Sequence, residues 1–72
     1  MGYTRTWLRD ATGFPFGYID AHDDGDKRQV LHELSGMILG FYYPQRDVTT
    51  DLSGKLVGMG NLLGTLIRPP KR

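Results

Sequence analysis

Short apolar runs and polar turns alternate along this chain, and within the runs the period is two, as in strands, rather than the 3.6 of helices. Phe14, Phe16 and Tyr18 fall on one side of a pleated strand, with Pro15, Gly17 and Ile19 on the other. Met37, Leu39 and Phe41 alternate in the same way with Ile38, Gly40 and Tyr42. Lys55, Val57 and Met59 do so with Leu56, Gly58 and Gly60. Both sides are largely apolar, which predicts a sheet covered on both faces.

The runs belong to a repeat. "WLRDATGFPFGYID" (7–20), "VLHELSGMILGFYY" (30–43) and "VTTDLSGKLVGMGN" (48–61) align without a gap. In each, a strand leads to an acid (Asp10, Glu33, Asp51), then a hydroxyl two residues on (Thr12, Ser35, Ser53). A turn glycine follows at once (Gly13, Gly36, Gly54), and a second glycine four residues later (Gly17, Gly40, Gly58). An acidic or hydroxyl side chain at the start of a turn bonds the backbone two residues on, and glycine supplies the positive φ that closes it. A type I turn followed by a left-handed glycine suits the twist of a hairpin and leaves a bulge. The second glycine sits inside the returning strand, where it marks a bend or the close approach of another backbone.

The expected architecture is therefore all-β. Three tandem hairpins give about six short antiparallel strands, in a meander or barrel-like sheet, within one domain over residues 1–72. The first link, "AHDDGDKRQ", reads as a polar loop, and "YPQRDV" carries Pro44 at a turn position. Residues 61–68 read as a closing segment, either extended or a short helical turn capped by Asn61. Leu62, Leu63, Leu66 and Ile67 give that segment an apolar surface to bury.

The pairs Thr12-Gly13 with Gly17-Tyr18, Ser35-Gly36 with Gly40-Phe41, and Ser53-Gly54 with Gly58 resemble the hairpin repeats of small bacterial proteins described as β-flowers. The resemblance covers roughly residues 7–67 and rests on turn motifs, with three units here where that name is associated with four. It implies a hairpin-repeat fold in a bacterial protein. It brings no activity and no catalytic residue with it.

Composition narrows the chemistry. A 72-residue chain buries little, and without cysteine it has neither disulfides nor thiolate metal sites to support it. Self-association is the remaining support for a core of this size. The net charge of +1 supplies no field for nucleic acid or an anionic membrane. No apolar run approaches the ~20 residues a bilayer requires. The opening "MGYTRTWLRD" lacks the apolar centre of a signal peptide, so the expected setting is the cytoplasm.

Four candidate chemistries each have a plainer explanation. Asp20, His22, Asp24 and Gly25 match the first positions of a calcium loop, but the twelfth, a glutamate in such loops, is Leu31. That incomplete pattern predicts no metal site, and a solvated acidic loop over 20–26 accounts for it. Ser35 and Ser53, with His32 nearby, suggest a nucleophile, yet both occupy the turn slot that Thr12 also fills. His32 shares the slot of Arg9 and Thr50, an exposed strand position, so no nucleophile, base and orienter can be assembled and no enzyme is predicted. Spacings of the GxxxG kind need an apolar helix that is absent here. Trp7, Phe14, Phe16, Tyr18, Phe41, Tyr42 and Tyr43 offer stacking faces, and Arg5, Arg9, Arg46 and the tail "RPPKR" offer cations. The acidic loop and the near-neutral charge oppose nucleic acid, which stays with small-ligand binding as the alternative reading.

The favoured expectation is a cofactor-free, non-enzymatic module that forms a homo-oligomer or binds a protein partner. Its interface would hold Ile38, Tyr42, Tyr43 and Leu56 with the tail residues Leu62, Leu63 and Leu66.

Overall fold

The computed structural model describes residues 2–23, 25 and 27–68. Six antiparallel strands run in chain order through one meander sheet. They are β1 (Tyr3–Arg9), β2 (Pro15–His22), β3 (Gln29–Glu33), β4 (Ile38–Tyr43), β5 (Val48–Asp51) and β6 (Leu56–Met59). A single 3-10 turn, η1 (Leu63–Thr65), follows. The all-β expectation holds as a meander. The barrel-like alternative does not, because β1 and β6 stay at opposite ends of an open sheet. No helix among the described residues is long and apolar enough to cross a membrane.

The three hairpin turns are built alike. The Asp10 carboxylate accepts the Thr12 amide at 2.9 Å, the Thr12 hydroxyl at 2.7 Å and the Phe14 amide at 3.0 Å. Asp51 repeats this with the Ser53 amide, the Ser53 hydroxyl and the Lys55 amide at 2.9, 2.7 and 3.0 Å. Glu33 accepts the Ser35 hydroxyl at 2.7 Å. Gly13, Gly36 and Gly54 take φ of +92°, +97° and +91°, which side chains rarely allow.

Strict alternation fails at one place in each hairpin. Leu8, Leu31 and Thr49 pair with Gly17, Gly40 and Gly58, while Arg9, His32 and Thr50 pair with Pro15, Ile38 and Leu56. Phe16, Leu39 and Val57 are thus extra residues in a bulge, which bends the strand and raises its twist. The bulge separates Pro15, Ile38 and Leu56 from the glycine side of the sheet, where simple alternation had placed them. Strands β1 and β2 also run longer than the repeat, because Tyr3–Thr6 pair with Ile19–His22.

One face of the sheet is covered by the chain itself. The closing segment crosses back from β6 toward β2, and each second glycine receives one of its side chains. A Cβ on Gly58 would lie 2.6 Å from Leu62 Cδ1, one on Gly40 2.5 Å from Leu66 Cδ1, and one on Gly17 2.6 Å from Ile67 Cδ1. Leu31 and Leu63 are fully buried in this contact. Thr49 stands where the first two hairpins have leucine, because the chain turns back there. Its hydroxyl donates to the Gly60 carbonyl at 2.6 Å and accepts the Leu62 amide at 2.9 Å. Asn61 accepts the Leu63 amide at 3.2 Å, but the cap position itself belongs to Leu62, so the turn starts one residue later than expected. The opposite face is open, contrary to the expectation of a sheet covered on both sides.

The glycine contacts differ in how far a neighbour can yield. A Cβ at Gly17 or Gly40 also meets a carbonyl oxygen of the next hairpin, His32 O or Thr50 O, at 2.8 Å. At Gly58 it meets only the end of the Leu62 side chain, and at Gly64 nothing within 4 Å. Gly40→Ala should therefore destabilise the fold by about 1–3 kcal/mol, the usual range for overpacking. Gly58→Ala should do so by less, and Gly64→Ala should be neutral or slightly stabilising. Thermal denaturation of the three variants tests this, and equal losses at Gly40 and Gly64 would contradict the contact described.

Candidate functional site on the open face of the sheet

The open face is organised by cross-strand register. Trp7 pairs with Tyr18 and Tyr18 with His32, so three rings follow one another across β1, β2 and β3. Trp7 and Tyr18 are tilted with centroids 5.2 Å apart, and Tyr18 stacks on His32 at 4.6 Å. In the neighbouring row Arg5 pairs with Asp20, Asp20 with Val30 and Val30 with Phe41. Tyr3 lies beyond Arg5, with its ring 6.0 Å from that of His22.

Arg5 is the centre of this cluster. Its Nε and Nη2 donate to the two Asp20 oxygens at 2.8 and 3.1 Å. The two-point contact fixes the guanidinium plane, with Cζ 4.3 Å from the Tyr18 centroid, 5.5 Å from Tyr3 and 5.7 Å from Trp7. The hydrogen bond to Asp20 raises the Arg5 pKa further above its already high ordinary value, so the group is a permanent cation. His32 Nδ1 lies 4.0 Å from Asp20 Oδ2, is buried and has no hydrogen-bond partner.

Two residues sit differently from the sequence expectation. His32, at a slot that predicts exposure, has a side chain only 15% exposed, because its cross-strand pair is the Tyr18 ring. Asp20, grouped with the acidic loop, is a strand residue 10% exposed at its side chain, because Arg5 pairs with it. His22 is likewise in β2. Asp24 and Asp26 lie outside the described residues, as do Pro69, Pro70, Lys71 and Arg72 of the tail. Among the described residues no three His, Asp or Glu side chains gather as metal ligands. The hydroxyls of Thr12, Ser35 and Ser53 each donate to their own turn acid, while His32 packs against Tyr18 and faces Asp20.

The expected interface residues are divided between the two faces. Ile38, Tyr43 and Leu56 belong to the open one, where Phe41 and Arg46 adjoin the Tyr43 ring at 6.3 and 4.7 Å. Tyr42 is on the covered side, and its hydroxyl donates to Asp47 at 2.8 Å. That bond, with some burial, raises the Tyr42 pKa above 10.0. Leu62 and Leu66 are half-buried and Leu63 fully buried against the chain's own sheet. A separate cavity of about 360 Å³ between the first two turns and Ile67 has Glu33 and Arg68 in its lining.

No family model matches the chain, and comparison with curated proteins and with solved structures returns no match. What the arrangement offers is a fixed cation among partly exposed rings, suited to flat or apolar surfaces.

The turn acids carry the clearest pH signature. The Ser53 hydroxyl first, and then the Lys55 amide, holds the Asp51 carboxyl below its ordinary 3.8. A carboxylate whose pKa falls on folding contributes stability above its unfolded value, and loses it as pH drops through the folded one. Asp51→Asn keeps an oxygen acceptor and removes the charge. The variant should be less stable than the parent at about pH 5, and the gap should narrow toward about pH 2. Urea midpoints across that range measure it, and a constant gap would show that the charge plays no part.

Proposed function

We propose that the chain is a non-enzymatic interaction module that acts as a homo-oligomer. The observation that carries this reading is the imbalance of its apolar residues. Among the described residues only Val30, Leu31 and Leu63 are buried apolar side chains, whereas nine large apolar residues are 39–67% exposed. Scattered exposed apolar residues are ordinary in monomers, but a contiguous face of rings marks a binding surface. Trp7, Tyr18 and His32 form a row of touching rings and Phe41 and Tyr43 a second pair on the same face, with exposed Tyr3, Trp7, Leu56 and Met59 toward its two edges. A protein partner of another kind would use the same surfaces. A bacterial, cytoplasmic setting and kinship with β-flower proteins belong to the same proposal.

Light scattering on a sizing column, over about a tenfold concentration range, should return a stable multiple of 8.1 kDa. A clean monomer throughout would remove homo-oligomer from the reading.

Binding of a flat ligand or single-stranded nucleic acid is a second reading. It is favoured by the exposed Tyr3 and Trp7 rings on either side of Arg5. Trp7 is the single tryptophan. An oligonucleotide that stacks there should quench its emission, and the quenching should fall steeply with salt. Unchanged emission at low salt would dispose of nucleic acid as the ligand.

A further inference from the structure

The two free edges of the sheet are unequal. β6 has four residues, after which Gly60 turns the chain away with φ of +82°. β1 has seven, the longer of the two edge strands. An unpaired edge is a row of unmet amides and carbonyls that another strand can fill.

The direction of the β1 backbone groups follows from its inner neighbour. The Asp23 amide donates to the Gly2 carbonyl at 3.2 Å, while the His22 amide donates to Arg28 on the β3 side at 3.1 Å. Gly2 therefore turns its bonding groups toward β2, and by alternation so do Thr4, Thr6 and Leu8. Tyr3, Arg5 and Trp7 turn theirs to the open edge.

We infer that this edge pairs antiparallel with the β1 edge of a second copy, about a two-fold axis at Thr6. The inference rests on the homo-oligomer reading above and identifies its contact. Residues that present their groups outward must meet one another, so the symmetric registers that keep most of the strand paired centre on Arg5, Thr6 or Trp7. Centring on Arg5 sets Arg5 against its own copy, and centring on Trp7 sets Arg5 against Arg9. Both oppose like charges, which destabilises a strand pair. Centring on Thr6 sets Arg5 opposite Trp7 and Tyr3 opposite Arg9, twice each. The order Tyr3, Arg5, Trp7, Arg9 is thus self-complementary in that register, with each arginine position opposite an aromatic one. It also leaves Thr4 opposite Leu8 and pairs the strand over its whole length.

Arginine on an edge strand commonly guards it against association. Arg5 does not do so here, because Asp20 holds its guanidinium over the sheet face at 2.8 and 3.1 Å. A contact of one patch with itself is closed by two-fold symmetry and stops at the dimer. It would join the two sheets into one and place both Tyr3, Arg5 and Trp7 sets side by side.

The chain has no cysteine, so a single introduced one can link only two copies. In this register Thr6 meets itself as a non-hydrogen-bonded pair, with Cα atoms roughly 4.5 Å apart, which falls within the span of a disulfide. Thr4 would be about 14 Å from its own copy, at ~3.4 Å per residue. Under mild oxidation Thr6→Cys should convert to a covalent dimer, and Thr4→Cys should not. As a second measurement, Trp7→Arg should weaken the dimer at least about tenfold by setting arginines face to face, whereas Trp7→Glu should retain it. If the protein has the mass of an oligomer but Thr6→Cys links no faster than Thr4→Cys, edge pairing is wrong and the assembly uses another surface. Equal loss of the dimer in both Trp7 variants would also overturn edge pairing. A monomeric parent would overturn edge pairing and the homo-oligomer reading together.

Discussion

The structure depends on how closely the closing segment approaches the sheet. A single meander layer has no second layer to enclose its apolar side chains, and this one is made to serve by its own last residues. Leu62, Leu66 and Ile67 reach the backbone of β6, β4 and β2 only because Gly58, Gly40 and Gly17 present no Cβ there. Glycine is unfavourable in a strand taken alone. Repeated at one position in three hairpins, it gives a shallow channel across the sheet in which a crossing segment can bury Leu31 and Leu63 completely. Thr49 joins the two parts by hydrogen bonds, fixing where the segment leaves β6.

The bulge belongs to the same arrangement. By adding Phe16, Leu39 or Val57 opposite a single residue, it turns the glycine toward the closing segment and sends the preceding residue to the other side. The open face thereby gains Pro15, Ile38 and Leu56 beside the rings. The feature that lets the chain cover one face also makes the other face more apolar. With only Val30 deeply buried among the apolar residues of that open face, its rings pack against one another across the strands, Tyr18 stacked on His32 and tilted against Trp7, and Trp7 at the end of the row stays exposed.

What the sequence made legible was local. The acid, hydroxyl and glycine of each turn act within four residues, so their spacing already specifies the bonds that Asp10 and Asp51 accept. The role of the second glycine as a place of close approach was readable for the same reason, since its recurrence needs a common cause. Side-chain partners were not readable, because they depend on register between strands. Asp20 looks like the first of several loop acids until β2 is known to run on to His22, which sets it opposite Arg5. His32 looks exposed by analogy with Arg9, but it has Tyr18 across the strand, and Thr50 in the same slot also buries its hydroxyl oxygen. The alternation Tyr3, Arg5, Trp7 was a usable signal for a strand that begins before the repeat. It lies outside the aligned unit, so the repeat does not bring it out.

The inequality of the two faces bears on where function can reside. Substitutions at Gly17, Gly40 or Leu63 act through folding, since those residues are buried in the contact between the sheet and the closing segment. The open face has the opposite character. Trp7 and Tyr3 are exposed, Arg5 is a cation held in place by its ion pair with Asp20, and no turn depends on them. Arg5 therefore brings little net attraction for a charged ligand but keeps a flat, polarising surface for rings. A partner that supplies rings opposite cations satisfies that surface better than one that supplies phosphates. The β1 edge of the chain itself is such a partner. This weighs toward self-recognition over nucleic acid on the same residues, for a reason that lies in the pairing of Arg5 with Asp20 rather than in net charge.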